Sequence, residues 1–445
     1  MNPKHLKMLS VLAACSMLGG LSASAQDKAT LDLLVKKGVI TQADADSVAK
    51  SAAVVAPKDA AVKKLQIEGM IQLQYDWLTT DDKAVASVDP ASTNQALIRR
   101  AYLGAIADLG NGWGGELLLD VAAGANASAA PQAQGTQNLF EKVIIYKTVA
   151  DYGTATAGFQ KVPFVVEENT SSSQIKTVER SVATRFFTEP WGGSTTGRLG
   201  FANRHVGLYW SGNVTQVDGL GYGLAVTNAI QSTINFGNPA PGTAAYNEFG
   251  VWGNISYGNK FDALSYKVGL NLGYAGDANS TSGAAGVPAQ NNAMWGYNPY
   301  LTLTYSDFTL TAEFIQAQIQ NGRVNGGGIT STTAPYGFNV TPSYKINDEW
   351  EAVMRFSYLS TNGRGASINQ LERNAANPLT GGTFNNVWAA YIGFNYYIIG
   401  NSLKLSAGYE FADFTDRSGG GVPGTLFTGP RADVSAVRTR LQLLF

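Results

Sequence analysis

The chain has 445 residues, with 32 Lys and Arg against 33 Asp and Glu, so net charge gives no reason to expect nucleic acid as a partner. Its single cysteine, Cys15, excludes a disulfide scaffold and a zinc site built on cysteines. Only 15% of residues are charged, beside 50 Gly, 20 Tyr and 19 Phe, a balance that suits many strands and tight turns.

In chain order, Lys4 and Lys7 precede the apolar run "MLSVLAACSMLGGLSA" and the small triplet Ala23-Ser24-Ala25. This is the layout of a secretory signal peptide over residues 1–25, cut before Gln26. The alternative reads "LAAC" as a lipoprotein box with Cys15 acylated, which leaves a very short apolar region ahead of the cut. Residues 26–64 read as a periplasmic helical segment and linker. "ATLDLLVKKG" is a short helix closed by Gly38, "TQADADSVAK" a second with Thr41 as N-cap, and "SAAVVAPKDAAVKK" a spacer. A docking or trimerising element is the sharper reading of this segment, and a flexible spacer the plainer one.

From Leu65 the period changes to two. Leu65, Ile67, Ile71, Leu73, Tyr75 and Trp77 share one face, with Gln66, Glu68, Gln72, Gln74 and Asp76 on the other. "DALSYKVGLNLGY" and "SLKLSAGYEF" repeat the pattern, and so does the closing "SAVRTRLQLLF". There Val437, Thr439, Leu441, Leu443 and Phe445 oppose Arg438, Arg440 and Gln442.

About sixteen such segments begin near Leu65, Gln95, Gly112, Leu139, Tyr152, Ala202, Gly219, Tyr246, Phe261, Met294, Phe308, Tyr336, Glu349, Asn385, Ser402 and Ser435. Short connections such as "GN", "AD", "NK" and "SD" alternate with long polar ones such as "TNGRGASINQLERNAANPLTGGTF". After the leader no apolar run approaches the ~20 residues of a membrane helix. Trp77, Trp113, Trp210, Trp295 and Trp350 lie beside strand ends, as in interfacial girdles. The pattern predicts an all-β fold: a transmembrane up-and-down antiparallel β-barrel over residues 65–445. Its apolar face would meet lipid and its polar face would surround water, with the last strand paired to the first.

Several stretches carry a family likeness: "IRRAYLG" at Ile98–Gly104, "GFQKVPF" at Gly158–Phe164, "ERS" at Glu179–Ser181, and the closing "RTRLQLLF". In this order the chain resembles the phosphate-selective porin O and P family. The resemblance implies a trimeric, sixteen-stranded channel in the outer membrane of a Gram-negative-type bacterium, passing small anions such as phosphate. It also implies an inward-folded third loop and a lumen lined with basic residues. A terminal phenylalanine resembles the signal read by the outer-membrane assembly machinery. Lys161 falls on the family's lysine just before that loop, and Arg99 and Arg100 on its paired arginines.

The longest connection, about residues 162–201, follows the fifth strand and is expected to be that constriction loop. Its middle is expected to form a short helix with Val178, Val182 and Phe186 on one side and Lys176 and Arg180 on another. An anion, or Glu179, would offset that like-charge pair. Lys176, Arg180 and Arg185 are the loop's candidates for an anion pathway, and Lys267, Arg355, Lys404, Arg438 and Arg440 are the strands'. Glu68, Glu116 and Glu410 also count to the polar face and would cancel part of the field. Adjacent arginines cannot both face inward in a regular strand, so Arg99 and Arg100 require a bulge or a rim position.

Rival readings are a general or sugar-type pore without anion preference, a barrel hydrolase, and a surface adhesin. A hydrolase needs a histidine as base, and only His205 outlasts the leader, without a serine partner pattern. No spacing of ligands suggests a metal or cofactor.

Overall fold

The computed structural model describes residues 62–82, 90–122, 139–189, 197–229, 249–276, 293–324, 330–376, 382–418 and 431–445. The expected signal peptide, and the helical segment up to residue 61, lie outside the described residues. Seventeen strands follow one another: β1 Lys64–Asp82, β2 Ala91–Gly110, β3 Trp113–Asp120, β4 Phe140–Val149, β5 Gly153–Lys161 and β6 Arg204–Asn213. Then come β7 Leu220–Asn228, β8 Phe249–Phe261, β9 Leu264–Ala275, β10 Met294–Tyr305, β11 Phe308–Val324 and β12 Thr330–Thr333. The last five are β13 Tyr336–Lys345, β14 Trp350–Ser360, β15 Thr383–Asn401, β16 Leu403–Ser418 and β17 Ala432–Leu444. The short β12 pairs with the far end of β11, and β13 pairs with the rest of it. The two therefore act as one interrupted strand, and the sheet closes as a sixteen-strand antiparallel barrel. Closure is made by β1 and β17, in register from Met70↔Leu444 to Asp82↔Ala432.

Turn chemistry sets the alternation of connections. At the short turns the chain must enter the left-handed region, and residues that tolerate it stand there: Asn111, Asp151, Asp262 and Ser306, with φ of 53°, 65°, 50° and 52°. The opposite end carries the long connections, including those from β5 to β6 and from β14 to β15.

The direction of the pleat decides the environment. On β1, Leu73, Tyr75 and Trp77 are 48%, 46% and 51% exposed, whereas Gln72, Gln74 and Asp76 are almost wholly buried. The apolar face therefore points out and the polar face in, the reverse of a water-soluble sheet. Trp77 and Trp295 stand outward near the long-loop ends of their strands, and Trp113 and Trp350 near the short-turn ends.

The interior is more filled than an alternating pattern suggests. In its long-loop half, Leu78, Trp252, Met294, Ile315, Leu359 and Phe414 point inward and pack on Phe164, Val182, Phe186, Phe187, Leu199 and Phe201 of the connection between β5 and β6. Phe164 meets Phe201 edge-on at 5.1 Å, and Phe201 lies 5.1 Å from Trp252. The expectation of a polar inner face throughout is thus corrected. An apolar plug anchors the loop on that half, because the loop carries its own phenylalanines to bury.

At the seam, Gly69 and Phe445 exchange backbone hydrogen bonds of 2.7 and 3.1 Å. The Phe445 ring lies over Gly69 so closely that a Cβ there would meet it at 2.3 Å, so any larger residue would have to displace the ring. The outward band generates a test. Leu73→Arg should cost roughly 2–4 kcal/mol when the barrel is folded into lipid vesicles and unfolded with urea. A conservative Leu73→Ile should change little.

Candidate functional site

Among the described residues, two connections fold into the barrel. The first leaves β5 and passes through α1, Val166–Asn169, and α2, Val182–Thr188, before returning to β6. Its start is fixed from the wall: the Glu313 carboxylate accepts the N–H groups of Val166 and Glu167 at 2.8 and 3.1 Å. Asn169 then ties the turn by donating to the carbonyls of Val162, Phe164 and Val165. Ser181 caps α2 by accepting from the Thr184 N–H, and Glu167 in turn accepts from the Ser181 N–H and hydroxyl. Residues 176–180 lie before α2 and are not helical, so the expected helical pairing of Lys176 with Arg180 does not form. Each has its own carboxylate instead.

The second connection, from β14 to β15, contains α3, Ile368–Leu371, capped by a Ser367/Gln370 box. It docks on the first: Arg185 donates to the Leu371 carbonyl at 2.6 Å, and Arg364 to the Gly197 carbonyl at 2.7 Å. Asn374 reaches Asp76 on β1 at 2.6 Å. In the sequence this stretch reads only as a long polar loop.

Between these loops and the wall lies a belt of buried ion pairs. Glu179 binds Arg99 at 2.6 Å, Arg440 at 3.1 Å and Arg373 at 3.7 Å. Glu189 binds Arg185, Arg373 and Arg198. Glu168 binds Lys161 and Arg180, both at 2.9 Å. Next to Glu179, whose carbonyl it also bonds at 2.6 Å, Arg355 lies 2.6 Å from Glu410 and 3.0 Å from Glu167. Arg438 lies 3.0 Å from Glu372, 3.2 Å from Glu410 and 3.7 Å from Asp76. Lys176 pairs with Glu351 at 2.7 Å, and Arg204 with Glu141.

Two candidates bond neutral acceptors. Arg100 donates to the Gln72 side chain at 3.0 Å, and Lys404 to the Ser173 carbonyl at 2.9 Å. The β1–β2 register slips between Gln72 and Leu73, so that Arg100 faces Gln72 and Ile98 faces Leu73. Arg99 is the extra residue, and this bulge turns both arginines inward. Lys267 is exposed, three residues along β9 from its short-turn end at Leu264, and joins no belt contact among the described residues.

The belt divides into two adjoining clusters of unequal charge. Seven cations (Arg99, Lys161, Arg180, Arg185, Arg198, Arg373 and Arg440) share the three carboxylates Glu168, Glu179 and Glu189. Beside them, Arg355 and Arg438 meet the four carboxylates Asp76, Glu167, Glu372 and Glu410. Burial works against the Glu168 carboxylate, but Arg180 and Lys161 outweigh it and bring it down to about 2. Glu179 and Glu189 are held low in the same way by their arginines. Burial, and then Glu410 beside it, push the Glu372 carboxyl up to about 7.

A closed barrel with an apolar exterior, girdled by tryptophan and filled by inward loops, defines an outer-membrane channel architecture. The model of the family Phosphate-selective porin O and P matches residues 70–445, and the chain belongs to that family. It is a porin of the Gram-negative outer membrane. No curated protein sequence matches significantly. Among solved structures, the fold is similar to the outer-membrane channel DcaP of Acinetobacter baumannii, at 11% identity and TM-score 0.52, over 88% of this chain and 100% of that one. It is also similar to an anion-selective porin from Comamonas acidovorans, at 13% identity and TM-score 0.51, covering 85% of this chain and 99% of that one. Salmonella typhi OmpF in complex with daunomycin matches at 14% identity and TM-score 0.50, over 86% and 98% of the two chains.

Glu179, like Glu189, is shared by three guanidinium groups. Glu179→Gln leaves Arg99, Arg373 and Arg440 short of counter-charge, at a cost on the order of 3–5 kcal/mol in urea unfolding from detergent. Adding Arg440→Gln should recover part of that loss, read as a double-mutant cycle.

Proposed function

We propose that this porin passes small solutes by passive diffusion with a weak preference for anions. The observation that carries the reading is the imbalance of the belt, whose carboxylates cancel most, but not all, of its positive charge. Arg100 and Lys404, bonded only to neutral acceptors in the described contacts, add to the excess. Lys267, Arg355, Arg438 and the loop cations Lys176, Arg180 and Arg185 serve in this reading as one field rather than as a row of vacant anion sites. Phosphate is the anion that the family's description suggests. It would have to compete with carboxylates already seated on the guanidinium groups, so weak affinity follows.

The same neutralisation favours, as a second reading, a general or sugar-type pore without selectivity. A catalytic reading finds less support. His205 is buried, holds the Asn228 carbonyl at 2.8 Å and packs 5.1 Å from the Trp252 ring, which suits a structural role. We read the protein as a non-enzyme that works as a homotrimer, after its family. A signal peptide over residues 1–25, a periplasmic segment over 26–64 and recognition of Phe445 by the assembly machinery complete the proposal.

Reversal potentials across a planar bilayer under a salt gradient should have the anion sign and a small size. A cation sign would overturn the anion preference, and a value of zero would favour the unselective pore. Because Glu372 gains its proton as pH falls, the belt becomes more positive, and anion preference should rise between about pH 8 and pH 6. Glu372→Gln should hold a higher value throughout and flatten that slope.

A further inference from the structure

The outer face of the barrel carries a furrow of about 490 Å³ along β5. Its cause is local sequence: "GTATAG" gives β5 only small side chains, while its neighbours present large ones. Ala157 pairs with Ile145 on one side and Leu208 on the other, and these walls stand 62% and 67% exposed. The flanking strands lie about 9–10 Å apart across β5, room for one hydrocarbon chain between their side chains. A volume in this range is typical of small-molecule sites.

The furrow's short-turn end holds a charge on the lipid side. Lys147 pairs with Ala155 and Trp113, and its ammonium donates to the Asn111 carbonyl while standing 5.5 Å from the Trp113 ring centroid. An outward lysine at this depth is tolerable because it reaches the headgroup layer. Its ammonium has three donors, and one carbonyl leaves capacity for an anion. Short turns of such barrels face the periplasm, so the adjacent headgroups are those of the periplasmic leaflet.

We infer that the furrow holds one acyl chain of a glycerophospholipid from the periplasmic leaflet, with the lipid phosphate on Lys147. Charge complementarity at one end and an apolar trough at the other fit a molecule with both features. Free phosphate would gain nothing from the trough. A second copy of the chain would need about 800 Å² of its own surface, far more than a trough one chain wide supplies.

The test uses the intact protein purified in detergent and stripped of lipid, titrated with palmitoyl-oleoyl-phosphatidylglycerol and read by native mass spectrometry. Wild type should retain one tightly held lipid per chain. Ala157→Leu fills the trough and should lower retention about tenfold, the loss of burial of one to two methylenes of the chain. Lys147→Gln should weaken the phospholipid while leaving a phosphate-free diacylglycerol unaffected. Val268→Leu, on the lipid face away from β5, should behave as wild type. Equal retention by wild type and Ala157→Leu would overturn the inference. So would an unchanged lipid count with Ala157→Leu dissociating an oligomer, which would make the furrow a subunit contact.

Discussion

Backbone N–H and C=O groups have no water to bond in hydrocarbon, and the architecture of this porin follows from that shortage. Every strand must be paired on both edges, so β17 has to meet β1, and it does so through thirteen consecutive residue pairs. Closure then leaves the side chains only two places to go. Apolar residues such as Leu73, Leu441 and Leu443 take the lipid side, which obliges Gln72, Arg440 and Gln442 to point inward. The seam ends at Gly69, where the absence of a side chain lets the Phe445 ring lie flat against the strand.

Pointing charge inward creates a second problem. Two loops crowd the lumen, and arginines such as Arg355 and Arg438 are almost wholly buried there. An unpaired charge in that setting would cost several kcal/mol, so the loops carry the carboxylates that the wall's arginines need. The constriction is thereby assembled from opposite charges supplied by different parts of the chain. Rigidity of the loop and reduced selectivity come from the same bonds: a guanidinium held by Glu179 or Glu410 has less to offer a passing anion.

Much of the barrel was legible in the sequence because period-two alternation is local. It identified the outward and inward faces of β1, β9, β16 and β17, and the adjacency of Arg99 and Arg100 demanded a bulge or a rim position, of which the fold uses the bulge, opposite Gln72 and Leu73. The partners of the inward charges were not legible, since they are joined across long stretches of chain. Arg440 and Glu179 are separated by 261 positions, and Arg438 and Glu372 by 66. The acidic residues of "VEENT" and "TEP" in the β5–β6 connection were the available hint. The inward fold of residues 361–376 left no local mark either, because it docks through backbone carbonyls that any sequence presents and through side-chain pairs to distant residues, such as Glu372 with Arg438. The helix begins one turn later than the pattern suggests: Val182 and Phe186 share a face of α2, but Val178, also buried, lies in the bend before it.

The channel depends on which way the pleat points, and β17 offers the cleanest place to measure it. Nitroxide labels placed singly from 437 to 443 in the barrel reconstituted into lipid vesicles would report collision with oxygen, which concentrates in hydrocarbon. Oxygen collision should peak at Val437, Thr439, Leu441 and Leu443 and fall at Arg438, Arg440 and Gln442. A flat profile, or one of the opposite phase, would contradict the inversion on which the channel reading is built.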